Sequence, residues 1–172
     1  AKLGANIVYY SLESGEGYVG KRFDANLTGI PVDQLQFHRA KIEQNIKEIS
    51  GKLIIKEYPT ASAGATHFRN LLDELWLKKK FKPDIIFIDY LNICSSQRMK
   101  MGASVNSYTY IKSIAEELRG LAVESDVPIV SATQTTRSGY ANSDVELTDT
   151  SESFGLPATA DFMFGLISTE EL

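Results

Sequence analysis

The sequence predicts an α/β fold, a mostly parallel sheet flanked by helices and spanning residues 1–172 as one domain. Three observations point there. The run Asp84-Ile85-Ile86-Phe87-Ile88-Asp89-Tyr90 is apolar at successive positions, a pattern that suits a strand covered on both faces, as in a parallel sheet between helical layers. Further strand-sized apolar runs alternate with segments of helical periodicity, which favours a doubly wound layer arrangement. Finally, 172 residues with 43% hydrophobic content can bury one sizeable core.

Taken in order, Asn6-Ile7-Val8-Tyr9-Tyr10-Ser11-Leu12 reads as a buried strand that delivers Glu13 at its end. A short helix is expected near Tyr18–Leu27 and a second near Pro31–Ile49, opened by a proline suited to a first helical position. A strand at Leu53–Tyr58 follows. Thr66 is placed to cap the next helix, in which Phe68, Leu71, Leu72, Leu75 and Trp76 recur at helical spacing as a core stripe. The Lys78-Lys79-Lys80 run that ends it reads as a solvated tail favoured by the helix dipole. The central strand then delivers Asp89. A helix over about Ser107–Glu124 places Ile111, Ile114, Ala115, Leu118, Leu121 and Ala122 on one face, with Lys112, Glu116 and Arg119 outward. Pro128-Ile129-Val130-Ser131-Ala132-Thr133 is a further strand, delivering Gln134, and Phe162–Ile167 reads as the last.

In open parallel sheets ligands bind beyond the carboxyl ends of the strands. Glu13, Asp89 and Gln134 should therefore meet at one edge. A carboxylate for a metal, a second for a water and an amide to sense a phosphate form a coherent set for hydrolysing a phosphoanhydride. Each residue also has a plainer reading: Glu13 as a helix cap, Asp89 as a buried turn-former, Gln134 as a hydrogen-bonded core amide. His38 and His67 show no metal-ligand spacing.

Tyr10-Ser11-Leu12-Glu13 followed by Lys21-Arg22-Phe23, then Asp89-Tyr90-Leu91, the 115–122 segment AEELRGLA, Ser131-Ala132-Thr133-Gln134 and the 155–161 segment GLPATAD carry a resemblance in their order and spacing. The chain resembles the RecA-like hexameric replicative helicases of the bacterial DnaB type, and among them those of T-even-type phages, over nearly its whole length. That resemblance implies a RecA-like P-loop NTPase core using ATP and Mg²⁺, with Asp89 holding the metal, Glu13 activating the water, Gln134 sensing the γ-phosphate and Arg22 beside Glu13. Arg22 could equally be a surface ion pair. It also implies single-stranded DNA as the track, a homo-hexamer in the full-length protein, a primase and a helicase loader as partners, and the host cell cytoplasm as the setting.

No G-x-x-x-x-G-K-[ST] stretch occurs in the sequence, and a RecA-like ATPase holds its triphosphate with that loop. The resemblance places the P-loop upstream of Ala1 and the arginine finger downstream of Leu172, so the expected fold is truncated at both ends and inactive alone. The alternatives are a recombinase-like ATPase of the RecA superfamily, which would share the strand-end residues but not the 155–161 segment, and a RecA-fold scaffold or binding module, favoured if no P-loop lies upstream. A gap in the sheet is expected where the P-loop strand belongs, between the strand ending at Gln134 and Phe162–Ile167. Two long polar segments, 92–106 with Arg98 and Lys100 and 135–150 with Arg137, Tyr140 and Asn142, correspond by resemblance to loops lining the DNA channel. As residues alone, they read equally as surface loops.

A net charge of −4 and a pI near 5.3 argue against a surface that coats DNA nonspecifically, while leaving room for a few basic loops in a channel. No membrane span or signal peptide is visible, and the single Cys94 has no partner for an internal disulfide.

Overall fold

The computed structural model describes residues 3–100, 105–134 and 155–166. Strands β1 (Ile7–Ser11), β2 (Leu53–Glu57), β3 (Ile85–Asp89) and β4 (Ile129–Ser131) form one sheet in the order β2-β1-β3-β4, with every pairing parallel. Parallel neighbours need long crossovers. Helices α1 (Glu16–Thr28) and α2 (Arg39–Lys47), α3 (Ala65–Lys79) and α4 (Ser107–Ser125) provide them, and a short helix α5 (Gly155–Thr159) follows. Ser11 stands between Glu57 and Asp89 in register, so the strands end together on one rim.

The two sheet faces are covered unequally. Val8, Tyr10, Ile86 and Ile88 project to one side and are fully buried against Phe68 and Leu75 of α3 and Ile114, Leu118 and Leu121 of α4. Tyr10 stacks on Phe68 at 4.3 Å and donates its hydroxyl to the Phe68 carbonyl at 3.0 Å, so the ring is buried without an orphaned polar group. The alternate residues Ile7, Tyr9, Ile85 and Phe87 are only half-buried. There α1 lends Phe23, edge-on to Tyr9 at 5.5 Å. The expectation of strands covered alike on both faces therefore holds fully for one face, because α1 is short and amphipathic and reaches only part of the other.

Other differences have local causes. The single helix expected over 31–49 is a 3-10 turn at Val32–Phe37 and then α2, broken at His38. Leu35 is its one buried anchor and α2 buries nothing, so little packing holds a continuous helix together. Helix α3 is capped by Gly64, whose N–H donates to His67 Nδ1 at 3.3 Å, and Thr66 lies inside the helix. Gly64 is required by closeness: a Cβ there would stand 1.9 Å from the Ser95 carbonyl oxygen. Trp76 leaves the core stripe and is half exposed, with Lys80 over its ring at 5.3 Å.

No strand forms over 162–166, where Phe162, Phe164 and Leu166 are exposed; Ile167 lies outside the described residues. Among the described residues the sheet thus ends at β4, whose outer side has no ladder partner. The segment before it is anchored to α4 instead. Leu156 packs on Ile111 and Ala115, and Arg119 donates to the Thr159 carbonyl at 2.6 Å and to Asp161 at 2.8 Å.

Candidate functional site

Three adjacent parallel strands, β1, β3 and β4, end on the rim that carries Glu13, Asp89 and Gln134. Asp89 is the last residue of β3, and its Oδ2 accepts a hydrogen bond from the Tyr9 hydroxyl at 2.6 Å. Burial, helped by the adjacent carboxylate, pushes the Tyr9 pKa well up, so the phenol stays protonated and donating; the charge of Arg22 acts in the opposite direction. The pairing between β1 and β3 continues one step past Ser11, with the Leu12 N–H on the Asp89 carbonyl at 2.9 Å. Glu13 follows immediately. It is exposed and makes no hydrogen bond or ion pair among the described residues.

Beyond β4 the chain is tied to the segment that follows Asp89. The Leu91 N–H donates to the Ala132 carbonyl at 3.1 Å, and Thr133 Oγ1 to Asn92 Oδ1 at 2.8 Å. Gln134 Nε2 lies 3.5 Å from the Tyr90 hydroxyl, at the outer limit of a hydrogen bond. The amide is exposed rather than a core group. Arg22, on α1, is also exposed and makes no ion pair among the described residues; its guanidinium sits 5.8 Å over the Tyr18 ring.

Sequence reasoning missed two participants on this rim. Glu57 ends β2, and its carboxylate accepts the Glu16 N–H at 3.0 Å while Glu16 accepts the Glu57 N–H at 2.9 Å. Glu57, and not Glu13, therefore serves the open N-terminus of α1. Tyr9 was hidden because a tyrosine within an apolar strand shows its hydroxyl partner only once the register against β3 is known.

The basic loop residues are not brought together. Arg98 donates to Glu116 at 3.3 Å, a solvent-exposed pair of little energetic weight. Lys100 is exposed and without a partner among the described residues. Arg137 and Asn142 lie outside the described residues, as does Tyr140.

Among the described residues no three His, Cys, Asp or Glu side chains gather as a metal cage. The donor set suits Mg²⁺ arriving with a nucleotide, since that ion keeps water and phosphate ligands and needs only one or two carboxylates. Asp89 has one oxygen fixed by Tyr9 and the other available. The nearest approach to a phosphate loop, Gly15–Arg22, has Arg22 where a Ser or Thr belongs, and most of it lies inside α1. The Cys94 thiol is buried and its pKa is pushed up to about 12 by that burial, which leaves it unreactive at neutral pH. No described helix is long and apolar enough to cross a membrane.

Known proteins share both sequence and fold with this arrangement. The family described as DnaB-like helicase C terminal domain matches residues 1–171. The DnaB-like replicative helicase of Enterobacteria phage T4 is 46% identical over 99% of this chain and 38% of its own length. A probable plasmid replicative DNA helicase of Chlamydia trachomatis is 32% identical over 75% of this chain and 28% of its own. The chain thus spans less than two fifths of the T4 relative and a smaller share of the chlamydial one. In fold it is similar to a solved ATPase domain, with a TM-score of 0.71 over 91% of this chain and 57% of that one at 23% identity. It is similar as well to a DnaB-like replicative helicase whose structure was solved with attention to its interactions with primase, with a TM-score of 0.70 over 91% of this chain and 39% of that one at 23% identity. A match across all but one residue of the chain, together with 46% identity to the T4 relative over nearly the whole of this chain, leads to one conclusion: the chain belongs to the family of the DnaB-like helicase C-terminal domain.

Proposed function

We propose that these residues form part of the ATP-driven motor of a replicative DNA helicase that unwinds duplex DNA by moving on a single strand. The observation that carries this reading is the placement of Glu13, Asp89 and Gln134 beyond three adjacent parallel strands on one rim. Asp89 would hold Mg²⁺ through its water shell, and the ion would neutralise charge on the phosphates. Glu13, unpaired and exposed, would accept the proton of the attacking water. Gln134 would sense the γ-phosphate, and its link to Tyr90 and that of Thr133 to Asn92 would pass the change to the segment after Asp89. Arg22 would stand on the Glu13 side of the site. The phosphate cradle and an arginine from a neighbouring subunit would come from outside residues 1–172, in a homo-hexamer working with a primase and a loader in the host cell cytoplasm.

Single-stranded DNA would be held by Arg98, Lys100, Arg137 and Asn142, with cations on phosphates and no reading of base edges. For Arg98 this means exchanging Glu116 for a phosphate, a small cost because the pair is exposed. The test is the triple change Arg98→Ala, Lys100→Ala and Arg137→Ala in the full-length protein. DNA-stimulated ATP turnover should fall far more than basal turnover. Equal loss of both would remove the channel-loop assignment.

A further inference from the structure

Helix α4 buries a carboxylate that the proposed chemistry does not use. Glu117 is 9% exposed and points beneath the segment that follows β3. Its Oε1 accepts from Ser96 Oγ at 2.5 Å, from Ser113 Oγ at 3.1 Å and from the Arg98 N–H at 3.3 Å. The Gln97 N–H is shared between its oxygens at 3.2 and 3.0 Å. Two successive backbone N–H groups converging on one anion make a nest. Here the anion is supplied by the chain itself. Burial pushes the Glu117 pKa up, but the bonds from Ser96, Gln97, Arg98 and Ser113 outweigh it and hold the group below the ordinary glutamate range, as a carboxylate.

The turn is closed from its other sides too. The Met99 N–H returns to Ser96 Oγ at 3.2 Å, and the Ser96 N–H donates to the Tyr110 hydroxyl at 3.1 Å. The Ser95 N–H reaches the Ala63 carbonyl at 2.8 Å. An exposed, polar segment a short way past a strand end would ordinarily open readily. This one is bonded through its backbone to a helix and to the segment before α3.

We propose that Glu117 is the positioning residue of the 96–100 turn: its carboxylate fixes the backbone on which Arg98 and Lys100 are carried, and so sets where those cations meet the phosphates of a single strand. The inference rests on the proposed nucleic-acid role of the same turn. Glu117 touches no substrate; it acts through the two backbone N–H groups and through Ser96.

The test uses Glu117→Gln, Ser96→Ala and Arg98→Ala in the full-length protein, with two readouts. Brief native trypsin treatment reports opening of the turn through cleavage after Arg98 or Lys100, and binding of a fluorescent oligo-dT reports nucleic-acid affinity. Loss of a charged acceptor should raise the open population, and with it the cleavage rate, on the order of tenfold in Glu117→Gln. Ser96→Ala, which keeps the charge, should show a smaller increase and guards against a Glu117 variant that does not fold. Both should weaken oligo-dT binding several-fold, as should Arg98→Ala, while Arg98→Ala leaves cleavage after Lys100 unchanged. Unchanged cleavage in Glu117→Gln and Ser96→Ala would overturn the clamp. Faster cleavage with weaker binding in Arg98→Ala alone would overturn the positioning claim. Faster cleavage with binding intact in all three variants would overturn the nucleic-acid role of the turn, and the inference with it.

Discussion

Hydrogen bonds from outer partners orient metal-binding carboxylates, and for Asp89, in its proposed metal role, that orientation comes from a single phenol. Tyr9 reaches it from the neighbouring strand, steadied edge-on by Phe23 at 5.5 Å and stacked on Phe87 at 6.4 Å. Outer partners of this kind typically contribute about 10- to 100-fold to metal affinity or activity. Tyr9→Phe keeps the ring packing and removes the donor. We predict that it raises the Mg²⁺ concentration needed for half-maximal ATP turnover in the full-length protein while leaving its melting temperature nearly unchanged. An unaltered Mg²⁺ requirement would remove Tyr9 from the site. At this scale the rim residues were readable from sequence because each follows an apolar run whose end defines the rim. Their neighbours were not, since Tyr9 and Glu57 acquire their partners only through cross-strand register and helix placement.

At the scale of elements, the strand-helix alternation was readable because long apolar periodicities survive any packing choice. Helix ends and breaks were less so. Thr66 looks like a cap by residue type, yet the chain starts α3 at Gly64 because no side chain fits against Ser95. Ser95 cannot yield easily, for its own N–H is bonded to the Ala63 carbonyl. Gly64→Ala should therefore destabilise the fold by about 1–3 kcal/mol, the usual range for forcing extra volume into a tight contact. Urea denaturation measures it, and an unchanged midpoint would mean that the two segments are less closely joined than 1.9 Å implies. Glu117 escaped notice for a related reason: in the pair Glu116-Glu117 nothing in the residue type tells the outward carboxylate from the buried one. Its folded pKa is lowered, so its contribution to stability is present above the ordinary glutamate value of 4.5 and is lost as pH falls through the folded value. The stability gap between the unaltered protein and Glu117→Gln should accordingly be widest at neutral pH and close below about 4.5. A gap that persisted undiminished into acid would contradict the ionised nest.

For the molecule as a whole, the fold class was readable in full and the sheet only in part. The segment at 162–166 has the composition of a strand but no neighbour to pair with, since β4 is the last described strand on that side. On the proposed reading, the rim supplies the metal-side and water-side groups of residues 1–172 but not a phosphate cradle. Asp89 and Glu13 would present negative charge to a nucleotide, and no G-x-x-x-x-G-K-[ST] loop among these residues would oppose it. The most direct measurement is therefore ATP turnover, with Mg²⁺ and single-stranded DNA, by the full-length protein and its Glu13→Gln variant, beside residues 1–172 alone. The account predicts a loss of about 10²- to 10⁴-fold in Glu13→Gln with nucleotide binding retained, as for removal of a general base, and background turnover from residues 1–172. Full activity in Glu13→Gln, or clear hydrolysis by residues 1–172 alone, would contradict it.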